Sequence, residues 1–582
     1  MNRIGCVLIF LTCLFVVKAE AQVTFNGKKA AVDTLTGTWL LSVPESVFGT
    51  DYEAMVAVED SAMLCTIEDS VVTDRYTFCN VQPGTTYHLS MISGEDTIHA
   101  NIQFTFWPVI QIYGDYVKRP YNHGTVVYTH PDSTVQETIL SRVRWAGSST
   151  AAETRNKHNF HLKFYNEDST KRNMSFFGLR SDFHWRLDAG QIDFARVRNR
   201  VAKDIWAEFA HKPYYAAYEP KTPYNYVRGD FVEVFLNDQY MGIYSLNEHM
   251  DRQQLKLKQY DYETGEFHGG LWKPMQMTSV TLFRTLPDFD PTQKSWDEFY
   301  VKYPNIDDVN PTNFGTLYNA VKFAMLSSNK KFADSVEYYF DIPVLRDFYL
   351  FLILMQAPDN LGKNHYFACY DVATDKRLTM AIWDIDCSQG QYWSNEGSEY
   401  HNSLVSPEYD FKNVKFKEYY LFRRLFTSDS TFHGYATERY LELRGSTFNL
   451  DSILARYEAY FDEMKRCGAD QREIARWSYG SDLGGRELNF DSELEYLRDW
   501  WTRHLAYLDQ NVFIPYPMGD INFDRIIDIN DVTNLIDHVL TGNSDRMNLV
   551  RADMNGDSLI DIDDICDIIA IVLSSVPDEG GD

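Results

Sequence analysis

The stretch from Ala357 to Gly390, APDNLGKNHYFACYDVATDKRLTMAIWDIDCSQG, constrains this chain more than any other. Two runs rich in aromatic and β-branched residues, His365–Tyr370 and Leu378–Trp383, flank the polar segment Asp371–Arg377. That pattern predicts a β-hairpin. Asp359 precedes it, and Asn364 stands five residues further on. The second run leads into Asp384-Ile385-Asp386, where strand alternation is expected to put Asp384 and Asp386 on one face. Carboxylates and a carboxamide at one end of a hairpin suit a hard divalent cation with oxygen ligands. The competing reading makes Asp359 and Asn364 turn and capping residues, a common duty of both types.

Size sets the context for this stretch. At about 150 residues per domain, 582 residues predict three or four domains. The 83 acidic side chains against 55 basic ones give a net charge of -28. That argues against a nucleic-acid partner, whose phosphates need a basic surface. Residues 1–21 read as a secretory signal: Arg3, an apolar run Ile4–Val17, and Ala19-Glu20-Ala21 as a cleavage site. An N-terminal membrane anchor is the alternative. No other run is long enough to cross a membrane, so the expected location is secreted, extracellular or cell-surface, with periplasm also open. Six cysteines follow the signal, too few for a disulfide framework. Cys65 and Cys79 have the spacing to pair across a short hairpin.

Residues 22–106 read as an all-β sandwich, with runs such as Thr38–Val43, Glu53–Val58, Arg75–Cys79, Tyr87–Ile92 and Ile98–Phe106 between turn residues. It is expected to serve as a spacer or binding module. A larger domain, 107–513, starts with strands and ends with helices, a two-lobed α+β pattern with the acidic hairpin at the junction. Ile139–Trp145 ends in Gly147-Ser148-Ser149, and Asn159–Tyr165 carries Lys163. A Gly/Ser turn and a strand lysine can hold phosphates through backbone N–H groups and a point charge. Glu248, after Tyr240–Leu246, can pair with Lys163; the alternative, and the commoner case, is an exposed strand-end carboxylate. Ile192–Phe209 reads as an amphipathic helix, 287–312 as a loop, and Leu345–Gln356 as an apolar helix leading into Asp359. An Asp, an Asn five residues on, a hairpin and then an Asp is also the spacing of a phosphoryl-transfer site.

From about residue 139 to 512 the chain resembles the CotH (spore coat protein H) kinase-like family. The segments that carry the resemblance are RVRWAGSST, HNFHLKFYN, DFARVRNRVAKDIW, VEVFLNDQYMGIYSLNEHMD, APDNLGKNHYFACYD, MAIWDIDCSQG and ELEYLRDWWTRHLAYLDQNV. It implies an atypical protein-kinase fold that binds ATP with Mg²⁺ or Mn²⁺. In those terms Asp359 is the catalytic Asp, Asn364 a metal ligand, and Asp384 or Asp386 the metal-binding Asp after the hairpin. Lys163 contacts the ATP phosphates, near Gly147, Ser148 and Ser149. The family usually shows Arg-Gly-Asn-Ser-Ser there, so Arg144-Trp145-Ala146-Gly147-Ser148-Ser149 is an altered loop.

After a two-proline hinge, 514–518, an acidic pattern occurs twice in 519–576, ahead of an acidic tail, 577–582. Asp520, Asn522, Asp524, Asp528 and Asp531 occupy positions 1, 3, 5, 9 and 12 of a calcium loop, with Ile526 offering its carbonyl at position 7. Asp553, Asn555, Asp557, Leu559, Asp561 and Asp564 repeat the set 33 residues later, and each loop runs into an apolar helical stripe. The pair resembles a type I dockerin, which implies two Ca²⁺ sites, an all-α loop–helix module and a cohesin-like partner. Arg525 and Ser558 stand where such loops usually carry Gly. The whole reads as a secreted kinase-like enzyme transferring phosphate from ATP to a protein hydroxyl and tethered by its C-terminal module. A non-catalytic surface, adhesion or scaffold protein and another ATP-dependent transferase are the alternatives.

Overall fold

The computed structural model describes residues 23–60, 62–147, 150–305, 313–391, 406–428, 430–478 and 487–575. The expected signal, Ser148, Ser149 and the acidic tail lie outside them. Nine short strands come first: β1 (Val23–Phe25), β2 (Ala31–Asp33), β3 (Thr38–Ser42), β4 (Tyr52–Val58), β5 (Leu64–Ile67), β6 (Ser70–Val72), β7 (Arg75–Phe78), β8 (Tyr87–Ser93) and β9 (Asp96–Thr105). They form a three-stranded sheet, β1-β4-β7, and a six-stranded sheet, β2-β3-β9-β8-β5-β6. Alternate residues such as Ala54, Val56, Leu89 and Met91 turn inward to one shared core. Cys65 is buried in that core and Cys79 is exposed; both are free thiols, so the hairpin disulfide does not form.

Polar contacts fasten this unit to the barrel beyond it. Tyr240 donates its N–H to Asp33, Thr34 bonds to the Asp238 carbonyl, and the buried Lys28 ammonium donates to the carbonyls of Ser42 and Pro131.

Seven strands close into that barrel: β10 (Val109–Tyr113), β11 (Asn122–Thr129), β12 (Gln136–Ala146), β13 (Asn159–Tyr165), β14 (His184–Asp188), β15 (Gly229–Leu236) and β16 (Tyr240–Glu248). The order is β10-β11-β12-β13-β14-β16-β15, and parallel pairing of β10 with β15 closes the ring. Phe160, Leu162 and Phe164 fill the interior, which leaves His161, Lys163 and Tyr165 on the outer face of β13.

A five-stranded sheet comes next, in the order β18-β19-β17-β20-β21, from β17 (Gly270–Pro274), β18 (Ser295–Trp296), β19 (Phe299–Tyr303), β20 (His365–Cys369) and β21 (Thr379–Ile382). β20 and β21 are the expected hairpin, paired His365 to Ile382. β18 and β19 lie inside 287–312, where a loop was expected.

The longer helices are α1 (Arg198–Phe209), α2 (Gly315–Leu326), α3 (Asn329–Ser335), α4 (Ile342–Met355), α5 (Tyr420–Ser428), α6 (Ser430–Arg444), α7 (Leu450–Cys467), α8 (Ala469–Trp477), α9 (Phe490–Asn511), α10 (Ile529–Thr541) and α11 (Ile562–Ser574). α4 is apolar apart from Arg346 and Asp347 and almost wholly buried, the spine of the largest core. α1 starts at Arg198, not Ile192, because Arg196 adopts φ +61 and Asp193 takes the N–H of Arg198 in the preceding turn. No helix among the described residues is long and apolar enough to cross a membrane.

The segment 514–518 is not a free hinge. Tyr516 is buried, and the Arg525 guanidinium donates to the carbonyls of Ile514 and Pro515 while stacking on the Tyr516 ring. Phe523 packs edge-on against Tyr435 of α6, and Arg551 forms a two-pronged ion pair with Glu438 of the same helix.

Candidate active site

The loop after α4 turns tightly because Gln356 caps the helix in the left-handed region. It delivers Asp359 to the junction between the barrel and the helical half. Asp359 is held from two sides: Lys363 Nζ lies 2.6 Å from Oδ1, and the Asn364 amide donates to Oδ2 at 2.8 Å. Buried Asn360 ties this loop to the end of the hairpin by donating to the carbonyls of Asn364 (3.0 Å), Trp383 (2.8 Å) and Asp384 (3.3 Å).

Strand β21 ends at Ile382, so simple alternation does not present Asp384 and Asp386 as expected. Asp384 takes φ +59 and Asn364 takes φ +54. Two such residues cost on the order of 1 kcal/mol or more each and are retained where the surroundings over-determine them. Here the backbone leaves the sheet and folds both acids toward Asp359. Asn199 of α1 secures that turn, accepting from the Ile385 N–H and donating to Asp188 at the end of β14.

The result is a concentration of negative charge. Loss of solvent, followed by the like charges of Asp384, Asp188, Asp359 and Asp193, raises the Asp386 carboxyl well above the usual carboxylate range. Burial likewise raises Asp359, while Lys363 pulls it back. Opposite stand two lysines that sequence reasoning passed over. Lys203 of α1 is brought down to about 8 by burial and Arg200, with Asp188 and Asp384 opposing the fall. Lys273 of β17 is brought down to about 7 by burial, with Asp384 opposing. Its ammonium lies 4.9 Å from the Trp383 ring, whose surroundings also include the Arg186 guanidinium at 4.8 Å. A lysine in an otherwise apolar strand, and another at mid-helix, were the available signals.

A family model described as CotH kinase protein matches residues 143–508. The chain belongs to the CotH kinase family. No curated protein matches it. Within this CotH domain the structure brings Asp359, Asn364, Asp384 and Asp386 together. Lys163 stands apart from them on the outer face of the barrel, where burial and then Arg144, Lys171 and Arg142 lower its pKa. Its ammonium lies 4.5 Å from the Tyr121 ring. The expected Lys163–Glu248 pair does not form. Glu248 is buried and takes Arg228 through both oxygens, with the Gln254 amide as a further donor. The reason is register: Lys163 lies opposite His184, whereas Glu248 lies opposite inward-facing Trp185. Gly147 adopts φ +98, and a Cβ there would strike the Thr150 hydroxyl, so the turn after β12 depends on glycine.

The acids feel one another but are not drawn into a finished coordination shell. Among the described residues, the group of His, Cys, Asp or Glu with three ligand atoms mutually within 4.8 Å is a histidine cluster elsewhere. An arrangement of this kind is strained by its own charge and relieved by a dication. Asp386→Asn is therefore expected to raise the melting temperature in metal-free buffer at neutral pH. Each kcal/mol of relieved repulsion is worth roughly 1–2 °C in a domain of this size. An unchanged or lower melting temperature would contradict the repulsion.

The C-terminal loops are described by the same rules. Asp520 and Asp531 are fully buried, and burial raises both carboxyls. Asp520 accepts from the N–H groups of Asp524 and Arg525, and Asp531 from those of Ile521, Asn522 and Asp528. Asp553 and Asp564 repeat four of these five bonds in the second loop. Arg525 and Ser558 both adopt φ +69, so the left-handed turn persists without glycine. Asp528 and Asp561 cap α10 and α11 through capping boxes.

Proposed function

We propose that the chain is an exported ATP- and metal-dependent phosphotransferase acting on a protein hydroxyl, with its C-terminal module a calcium-binding dockerin for a cohesin-like partner. One observation carries the catalytic part: Asp359, Asn364, Asp384 and Asp386 converge at the junction of the two halves, facing Lys203 and Lys273. ATP with Mg²⁺ or Mn²⁺ would supply the transferable phosphoryl group and offset its charge. Asp384, Asp386 and Asn364 are the oxygen donors that would hold the cation. Asp359 would orient the acceptor hydroxyl and accept its proton, and Lys203 and Lys273 would offset phosphate charge. Lys163, Glu248 and Gly147 are left outside this set: Glu248 is committed to Arg228, and Lys163 sits among cations on the outer face of the barrel. The paired calcium-type loops, Asp520–Asp531 and Asp553–Asp564, support the dockerin reading through their repeated hydrogen bonding.

A second reading, a non-catalytic scaffold on the same fold, is favoured by one feature. Both Asp359 oxygens are already engaged, by Lys363 and Asn364.

Thermal shift of the full chain in Ca²⁺ buffer, with ATP and Mg²⁺ or Mn²⁺, separates the two. A ligand at a hundred times its dissociation constant adds about 2.7 kcal/mol to the native state. The expected result is a metal-dependent shift that Asp384→Ala loses and Asp359→Ala retains, with phosphoryl transfer lost in both. No shift with any nucleotide in folded protein sinks the phosphotransferase reading and leaves the scaffold.

A further inference from the structure

Three histidines meet on the outer face of the barrel. His161 comes from β13, His184 from β14, and His249 from the end of β16. One ring nitrogen of each lies within 4.8 Å of the others. His161 Nδ1 and His184 Nε2 are only 3.1 Å apart. On a tetrahedral zinc ion with Zn–N bonds of 2.0–2.1 Å, two imidazole nitrogens lie about 3.3 Å apart. The His184 and His249 ring centroids are 4.1 Å apart, with the planes tilted by 31°. His249 Nδ1 is buried with no hydrogen-bond partner, a state folded proteins seldom leave without a reason.

We propose that His161, His184 and His249 form a site for a transition-metal ion of the zinc type, with a fourth position open to an anionic ligand. Imidazole nitrogen is the ligand type that suits zinc, copper, nickel and iron. Three protein ligands with one open position is the arrangement of exchangeable rather than purely structural zinc. Cationic side chains, among them Arg186, Arg144, Arg180 and Lys163, surround the three rings.

The same cations explain the open position. Arg186 lies directly across the sheet from His161, and Lys163 across from His184. Arg180 and Arg144 add positive charge. A bare dication is opposed by this rim, and a dication carrying hydroxide or a phosphate oxygen is not. The inference is independent of the phosphotransferase reading, whose acids are a separate set.

The test is equilibrium dialysis of the full chain against Zn²⁺ and Co²⁺, with excess Ca²⁺ and Mg²⁺ to satisfy oxygen-rich sites. One retained equivalent is expected, together with a Co²⁺ visible spectrum that inorganic phosphate perturbs. His184→Asn and His249→Gln, checked for folding by circular dichroism, should each lose the ion and the Zn²⁺-dependent rise in melting temperature. Cys79→Ser and Cys566→Ser should keep both. Absence of retained metal, retention in the folded histidine variants, or a thiolate-to-cobalt band that the cysteine variants remove would overturn the site. Retention with a spectrum indifferent to phosphate would overturn the open position.

Discussion

Glu473→Ala is expected to destabilise the protein by about 3–5 kcal/mol, the range for stripping one partner from a buried ion pair. Glu473 enters from α8 beneath the barrel and is wholly buried. It takes the Lys157 ammonium at 2.8 Å, the Arg196 guanidinium at 2.6 Å and the Ile243 N–H at 2.7 Å. Gly242, at φ +92, makes room for it, since a Cβ there would collide with the carboxylate. The two cations hold Glu473 below its ordinary range in spite of burial. Removing it strands two positive charges in the interior. Lys157, brought down to about 7 mainly by burial, then loses the partner that holds it up. A lysine depressed in the fold binds fewer protons there than in the unfolded chain. Stability therefore rises with pH between the folded value and the unfolded 10.5. Because this slope is common to both proteins above about pH 7, the Lys157 part of the Glu473→Ala deficit should grow as the pH falls below that value and level off above it. Denaturant melts at pH 5.5 and pH 9.5 read both points. Glu53→Ala, which breaks the exposed Arg75 pair, is the control and should cost about 0–1 kcal/mol. A Glu473→Ala loss no larger than the control's would refute the argument.

Calcium removal is expected to unfold the C-terminal module while the CotH domain stays folded. Asp520 and Asp531 are buried with no basic side chain paired to either carboxylate among the described residues. Buried carboxylates of like charge need a cation. At a thousand times its dissociation constant, each bound ion adds about 4.1 kcal/mol. The core it supports is small, built on Ile521, Val532, Leu535, Ile565 and Ile568. With chelator, far-UV circular dichroism should lose the helicity of α10 and α11, and protease should cut within 519–575. Asp520→Ala with Asp553→Ala should reproduce this in saturating Ca²⁺. Identical spectra and cleavage with and without chelator would refute it.

What the sequence disclosed came from local rules. The hairpin, α4 and the two acidic loops are set by periodicity and spacing within a few dozen residues, and all stand close to where they were expected. Other features depend on distant pairings. The barrel closes through β10 against β15, more than a hundred residues apart, and no local pattern announces a ring. The register of β13, β14 and β16 sends Glu248 to Arg228 instead of Lys163. Lys203 and Lys273 reach the acids from α1 and β17, elements far from the hairpin in sequence. The three histidines come from separate strands and share no spacing. The start of α1 was misplaced because apolar periodicity continued through a turn that Arg196 takes left-handed.

The two C-terminal repeats share Asp or Asn at positions 1, 3, 5, 9 and 12, and two of their differences change what the loops touch. Position 4 is Phe523 in the first and Gly556 in the second; position 6 is Arg525 and Ser558. Phe523 and Arg525 are the residues that grip α6 and the 514–516 backbone, whereas Gly556 and Ser558 face solvent. The repeats are a foot and a hand: one planted on the body, the other held out. A partner that grasped the second repeat would therefore hold the acidic cleft at a set attitude, as a bracket does, and not at the end of a swinging tether.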